Sequence, residues 1–108
     1  MAGEASGVPK EEDDMAAFII VQVDVTDPET FETYRAQVPP TLEAYGGEYV
    51  VRGGEQAVLE GEWAPRTVVL KFASMDQAKA WHASSEYEGP KALREAAANS
   101  NMVVVEGL

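Results

Sequence analysis

The sequence contains no cysteine, and its eight lysine and arginine residues are outnumbered by 19 aspartate and glutamate residues. The missing cysteine excludes disulfides, thiolate metal ligands and cysteine nucleophiles. The net charge of -11 disfavours nucleic acid and anionic membranes as partners, because both are bound through clusters of basic residues. We therefore expect no nucleic-acid partner and no membrane partner.

Long hydrophobic runs are also missing. The longest one, around Met15 to Val21, is too short to cross a bilayer, and acidic rather than basic residues precede it. With no signal peptide predicted, cytoplasmic localisation is the default expectation. Residues 1–15 are predicted to be a disordered acidic tail, because Met1 to Asp14 offers little to bury. Residues 16–108 are predicted to form one domain.

Hydrophobic periodicity and turn residues predict the secondary structure. The Pro39-Pro40 pair is expected to kink the first helix or to divide it in two. The first predicted elements are a strand over Ala17–Val25, a helix that starts at Asp27-Pro28 and a strand over Glu48–Arg52. A hairpin arm with a second extended piece over Ala57–Glu62 follows, and then a strand over Thr67–Phe72. The last elements are a helix opened by a Ser74–Gln77 capping box, a further helix through Leu93 to Ala98 after breaks at Ser84-Ser85 and Gly89-Pro90, and a strand over Asn101–Glu106.

This order of strands and helices is typical of an α+β fold, a ferredoxin-like βαββαβ sandwich with helices on one face of an antiparallel sheet. The other face would carry apolar residues such as Phe18, Ile20 and Val69. An uncovered face of an antiparallel sheet is normally polar. We therefore predict a homodimer in which the second copy covers this face, so that the two sheets form a dimeric α+β barrel.

Two glycine pairs, Gly46-Gly47 and Gly53-Gly54, lie in the polar stretch from Tyr45 to Arg66. Neither has the spacing of a dinucleotide fingerprint or a P-loop. We interpret both as turns, since glycine tolerates positive φ at a helix end or in a hairpin. No cofactor motif is present, and one histidine with scattered carboxylates does not predict a metal site.

Three charged residues in the same stretch are candidate substrate-binding residues: Arg52, Glu60 and Arg66. They lie on or beside predicted strands joined by tight turns, so we expect them to meet at one end of the sheet. A guanidinium offers a planar set of donors that suits a carboxylate. Either Glu60 binds both arginines internally, or one arginine, with Arg66 preferred, is free to bind a substrate carboxylate or carbonyl.

His82 and Tyr34 are the candidate catalytic residues. His82 is the only histidine, and its ordinary pKa of about 6.5 suits proton transfer near neutrality; the alternative is an incidental position on a helix. Tyr34 combines an apolar ring with a polar tip, as do the candidate pocket residues Trp81 and Tyr45. For Trp81 the alternative is core packing.

The chain from Ala17 to Leu108 also carries a specific combination of glycine, arginine and aromatic positions: Tyr34, Pro39, Tyr45-Gly46-Gly47, Arg52-Gly53-Gly54, Glu60-Gly61, Trp63, Arg66, Phe72, Trp81, Ser85-Glu86-Tyr87 and Arg94. This combination resembles the domain of unknown function 1330 family, within the dimeric α+β barrel superfamily. Ser84-Ser85 departs from a common Ser-Pro pair, and His82 stands where an aromatic such as tyrosine is common. The resemblance implies the fold and the dimer but no general activity.

Barrel relatives in this superfamily act as monooxygenases, isomerases and decarboxylases on small compounds. The resemblance therefore implies a small-molecule-binding protein or a cofactor-independent enzyme, with a pocket between helices and sheet for a small carboxylate or aromatic compound. The alternative is a non-catalytic dimeric structural or sensing module. The volume of the pocket separates the two hypotheses, since ligand sites usually exceed about 300 Å³.

Overall fold

The computed structural model describes residues 15–108, so the predicted acidic tail lies outside the described residues except for Met15. The chain folds into four strands and three helices. They are β1 (Ala17–Val25), α1 (Pro28–Ala44), β2 (Glu48–Arg52), β3 (Arg66–Phe72), α2 (Met75–His82), α3 (Ser85–Ala97) and β4 (Ala98–Glu106). Neighbouring strands are antiparallel in the order β2-β3-β1-β4. The predicted ferredoxin-like α+β fold is confirmed.

Alternation along the strands gives the sheet two different faces. On the face covered by the helices, Ile19, Val21 and Val23 of β1 are buried and form one core with α1, α2 and α3. The residues between them point the other way, and there Val103 and Val105 of β4 are 58% and 46% exposed. We call these the covered face and the open face.

Helix α1 begins as its sequence predicts. The Asp27 carboxylate accepts a hydrogen bond from the Thr30 backbone N–H at 3.3 Å, and Pro28 occupies the first turn. The helix then continues through Pro39 and Pro40 to Ala44, so it is not divided in two at the prolines, and the alternative expectation of a kink stays a prediction. Because Pro39 has no N–H, the Arg35 carbonyl four residues earlier has no helical donor.

One short break separates helices α2 and α3, and a serine caps the start of each helix. Ser74 caps α2 by accepting from the Gln77 N–H at 3.1 Å, and Ser84 caps α3 by accepting from the Tyr87 N–H at 3.1 Å. The predicted break at Gly89-Pro90 is wrong, because α3 runs unbroken over both residues. Pro90 removes one backbone donor, but it is buried, and most helix stability in proteins comes from tertiary packing.

The segment between β2 and β3, residues 53–65, contains no strand. The predicted extended piece over Ala57–Glu62 therefore forms no strand. Side chains rather than a strand ladder hold this arm: Gln56 Nε2 donates to the Ala64 carbonyl at 2.8 Å, and Thr67 Oγ1 donates to Gln56 Oε1 at 2.6 Å. Leu59 in this arm is 92% exposed.

Within residues 15–108, no helix has the length and apolar content needed to cross a bilayer.

Candidate functional site

A cleft lies between the helices and the covered face, with an apolar floor and four arginines in its lining. Its volume is about 30 Å³, room for one or two water molecules. Its lining comes from every strand and helix: Val21, Val23, Phe31, Tyr34, Arg35, Val38, Tyr49, Arg52, Arg66, Val68, Leu70, Trp81, Arg94 and Met102.

Arg66, the first residue of β3, lies over a glycine at the rim of this cleft. A Cβ atom added at Gly53 would lie 2.5 Å from the Arg66 Cζ, and the Gly53 φ of +72° also disfavours other residues. The Arg66 guanidinium lies 5.5 Å from the Phe31 ring centroid. Its Nε is buried and has no hydrogen-bond partner among the described residues. Burial, followed by the nearby Arg35 charge, lowers the Arg66 pKa below its ordinary value.

Arg52 at the end of β2 is held differently. Its guanidinium stacks 4.4 Å from the Tyr49 ring centroid, and its Nη2 donates to the Arg35 carbonyl at 3.4 Å. This is the carbonyl that Pro39 leaves without a helical donor. The proline in α1 therefore provides the acceptor that positions Arg52.

Glu60 does not join the arginines. Within residues 15–108, neither Arg52 nor Arg66 forms a salt bridge, and the one pair at the rim joins Arg35 Nη1 to Glu32 Oε2 at 2.9 Å. Glu60 instead lines a separate open hollow in the arm, together with Leu59 and other exposed residues. Of the two alternatives, the Arg–Glu network is therefore not formed within residues 15–108, because the arm carries Glu60 into this other hollow.

Tyr34 reaches the cleft from α1 and is linked to α3. Its hydroxyl shares a 2.9 Å hydrogen bond with the Tyr87 hydroxyl, which also accepts from Arg94 Nε at 3.4 Å. Burial raises the Tyr34 pKa well above its ordinary value. Tyr34 is thus a neutral phenol near pH 7, suited to donate a hydrogen bond rather than to accept a proton.

Trp81 forms a buried wall of the cleft. Its side chain is completely buried, and its Nε1 donates to Thr41 Oγ1 at 3.0 Å. Its ring centroid lies 4.0 Å from that of Tyr87 and 5.6 Å from that of Phe72. Trp81 is a core residue that also lines the site.

The structure places His82 and Tyr45 outside the cleft. His82 lines a separate hollow of about 180 Å³ between α2 and β4, with Lys79 and Met102 among its neighbours. Burial and then Lys91 lower the His82 pKa. The Tyr45 hydroxyl donates to Glu86 Oε1 at 3.0 Å and so ties the end of α1 to the start of α3.

Three further polar or charged lining residues were not among the sequence candidates: Arg35, Tyr49 and Arg94. Tyr87 and Arg94 are seven residues apart, which puts them on one face of α3, and this spacing is a readable signal. Tyr49 alternates with Glu48 on β2, which is a weaker signal. Among residues 15–108, no group of three or more histidine, aspartate or glutamate side chains could hold a metal ion.

The fold is shared with solved structures of low sequence identity. A protein of unknown function from Rhodopseudomonas palustris matches 88% of this chain and 84% of its own, at 17% identity and a TM-score of 0.73. SnoaB, a cofactor-independent oxygenase from Streptomyces nogalater, matches 85% of this chain and 91% of its own, at 16% identity and a TM-score of 0.56. These matches define the class of the protein by its fold, a ferredoxin-like α+β sandwich.

The particular family follows from the sequence itself. The model of the domain of unknown function 1330 matches residues 16–108, and the chain belongs to that family. None of the curated proteins matches it.

Proposed function

We propose that this protein binds a small organic carboxylate in the cleft between helices and sheet, and that Arg66 binds the carboxylate. The observation that carries the proposal is the buried Arg66 Nε, which has no acceptor within residues 15–108. A buried donor without an acceptor costs free energy. A carboxylate oxygen would supply that acceptor, and its charge would strengthen the hydrogen bond.

The charge balance at the rim supports the same proposal. Three of the four guanidinium groups that line the cleft are those of Arg35, Arg52 and Arg66, and within the described chain the one salt bridge among them is to Glu32. This local excess of positive charge lies in a protein whose net charge is -11. Attraction of an anion to the cleft is therefore a local property, set by these side chains at short range.

The ligand would enter by movement of side chains at the rim. The cleft volume of about 30 Å³ is below that of ligand sites, which usually exceed about 300 Å³. The groups that narrow it include the long side chains of Tyr49 and Arg52, which can change rotamer without a change in the backbone.

We further propose that the protein is a cofactor-independent enzyme in which Tyr34 donates a hydrogen bond to the bound compound. Tyr34 is the catalytic candidate that lines the cleft, and its raised pKa keeps it protonated. His82 lies in another hollow. SnoaB shares the fold, but a shared fold does not carry chemistry, so Tyr34 is the main support.

The homodimer is part of the proposal. The open face presents Phe18, Ile20 and Val69 beside the more exposed Val103 and Val105. Contiguous apolar patches of this kind mark interaction surfaces. A second copy of the chain would cover them with an equivalent surface, as expected for a symmetric dimer.

A second candidate, the non-catalytic dimeric module, is favoured by one observation. The cleft volume of about 30 Å³ fits a closed core better than a ligand site. Under this alternative, the rim arginines have a purely structural role and no small carboxylate binds.

Calorimetric titration with benzoate and with pentanoate tests the proposal. We expect binding to the unaltered protein and an affinity about tenfold or more lower in Arg66→Met, since hydrogen bonds to charged groups contribute about 1.5–3 kcal/mol. Lys79→Met is the matched control, because it removes an exposed positive charge outside the cleft. Equal affinities of the two variants would contradict the role of Arg66, and no binding at all would favour the module.

A further inference from the structure

Arg94 is a buried cation that the proposed binding of one carboxylate does not use. It projects from the last turn of α3 and is only 7% exposed. Its hydrogen-bond partners are neutral: Nε donates to the Tyr87 hydroxyl and Nη1 to Ser100 Oγ. Within residues 15–108 it forms no salt bridge. A buried charge without a counter-ion is costly, so an anion close to Arg94 would be stabilised.

The strand register places this cation opposite Arg66. Val23 of β1 pairs with Arg66 of β3 on one side and with Ser100 of β4 on the other. The three residues therefore form one row across the covered face, and Ser100 holds the Arg94 guanidinium. Two strand spacings make the row about 10 Å wide. Arg66 and Arg94 thus reach the same cleft from its two sides.

The middle of the row is apolar. Val21 and Val23 form the floor between the two arginines, and both are buried. Near Arg94, the hydroxyls of Tyr34 and Tyr87 bond to each other, which leaves one hydroxyl hydrogen free to donate to a ligand oxygen. The cleft therefore offers a cation at each end, with an apolar section a few carbon atoms long between them.

We propose that Arg94 is a second anion-binding residue and that the ligand is a short dicarboxylate, with one carboxylate on Arg66 and the other on Arg94. This inference rests on the proposed function, because it needs Arg66 to bind the first carboxylate. Tyr34 would then lie beside the second carboxylate, hydrogen-bonded through Tyr87 to Arg94.

A structural role for Arg94 is the competing explanation. Its position in the last turn of α3 allows a favourable interaction with the helix dipole. Asp24 and Glu95 line an open hollow on its other side, where they can interact with it at longer range. If this role is the whole explanation, substitution of Arg94 lowers stability but does not change the choice between ligands.

The experiment compares dicarboxylates from malonate to adipate with monocarboxylates of equal chain length, such as glutarate with pentanoate. Calorimetric titrations are run at constant ionic strength, because added salt screens charge interactions. We expect the best dicarboxylate to bind the unaltered protein about tenfold or more tightly than its monocarboxylate partner. This first comparison needs no variant, so it stands even if a variant fails to fold.

Variants then assign the two ends. Arg94→Met should abolish the difference in affinity between each dicarboxylate and its paired monocarboxylate, while Arg94→Lys should restore part of the preference. Arg66→Met should weaken both ligands, and Lys79→Met should change neither. Folding of each variant is checked by its thermal midpoint.

The outcomes separate this inference from the proposed function. Equal binding of paired ligands to the unaltered protein, or a dicarboxylate preference that survives in Arg94→Met, would overturn the role of Arg94 while Arg66-dependent binding remained. If neither ligand bound, both proposals would be wrong.

Discussion

The two faces of the sheet are built from alternate residues of the same strands, yet they end in different environments. On the covered face, α1, α2 and α3 close over the strands and leave a cleft of about 30 Å³. On the open face, side chains of similar apolarity meet no other layer, and Val103 is 58% exposed. Strand alternation thus makes two apolar faces from one pattern, and what packs against each face decides its role.

The first prediction compares deletion of side chains on the two faces. Trp81→Ala should lower the free energy of unfolding by about 3–5 kcal/mol, because it leaves a cavity in the core and removes the donor to Thr41. Val103→Ala should cost the isolated subunit no more than about 0.5 kcal/mol. Urea unfolding at low protein concentration measures both. A large loss for Val103→Ala at every concentration would mean that the open face is already buried within one subunit.

The second prediction tests whether a second copy covers the open face. Val103→Glu would place like charges near each other in a symmetric dimer and should weaken the dimer about a hundredfold or more. Sedimentation equilibrium should report the dimer mass for the unaltered protein and the monomer mass for the variant. Ala80→Glu adds the same charge on exposed α2 and should leave the dimer intact. A monomer mass for the unaltered protein at micromolar concentration would contradict the predicted homodimer.

The third prediction concerns the rim of the cleft on the covered face. Gly53→Ala should destabilise the protein by about 1–2 kcal/mol because of its positive φ and should also displace Arg66. Gly61→Ala is the matched control, since Gly61 has a φ of +77° and a Cβ atom added there would meet no neighbouring atom within 4 Å. Carboxylate affinity should fall in Gly53→Ala and stay unchanged in Gly61→Ala. The same affinity in both variants would show that Arg66 does not need its contact with Gly53.

The fourth and smallest effect is expected at the β4 edge, where the His82 hollow joins residues of both faces. The His82 pKa is lowered in the folded protein. At a pH below the ordinary histidine pKa of about 6.5, the unfolded chain therefore binds more protons than the folded protein. Stability should therefore decline as the pH falls from about 7 to 5.5, and His82→Gln should show a shallower decline. The carboxylate affinity of His82→Gln at pH 7 should equal that of the unaltered protein. A large loss of carboxylate affinity in this variant would mean that His82 is part of the binding site.

The sequence predicted the fold because its signals are local. Caps at Asp27 and Ser74, and alternation in β1 and β3, depend on residues close together in the chain. The site was less predictable, since its contacts join distant segments. The Arg52 contact with the Arg35 carbonyl spans 17 residues and the Tyr34–Tyr87 contact spans 53.

The failed expectations have the same cause. Glu60 and Arg66 are close in sequence, but the arm runs without a strand and carries Glu60 into another hollow. Gly89-Pro90 reads locally as a helix break, yet the buried Pro90 packs within an unbroken α3.

The sequence by itself determined the composition, the order of elements, the alternation that gives the sheet two faces and the glycines that allow close approach at the rim. These features depend on backbone preferences and on the periods of strand and helix. Only the tertiary structure decided that Arg66 lies over Gly53, that Pro39 frees a carbonyl for Arg52 and that Arg94 is buried opposite Arg66. Each of these contacts joins elements that come together only when the sheet forms and the helices pack on it, because their energies are set by burial and by distances in space rather than in sequence.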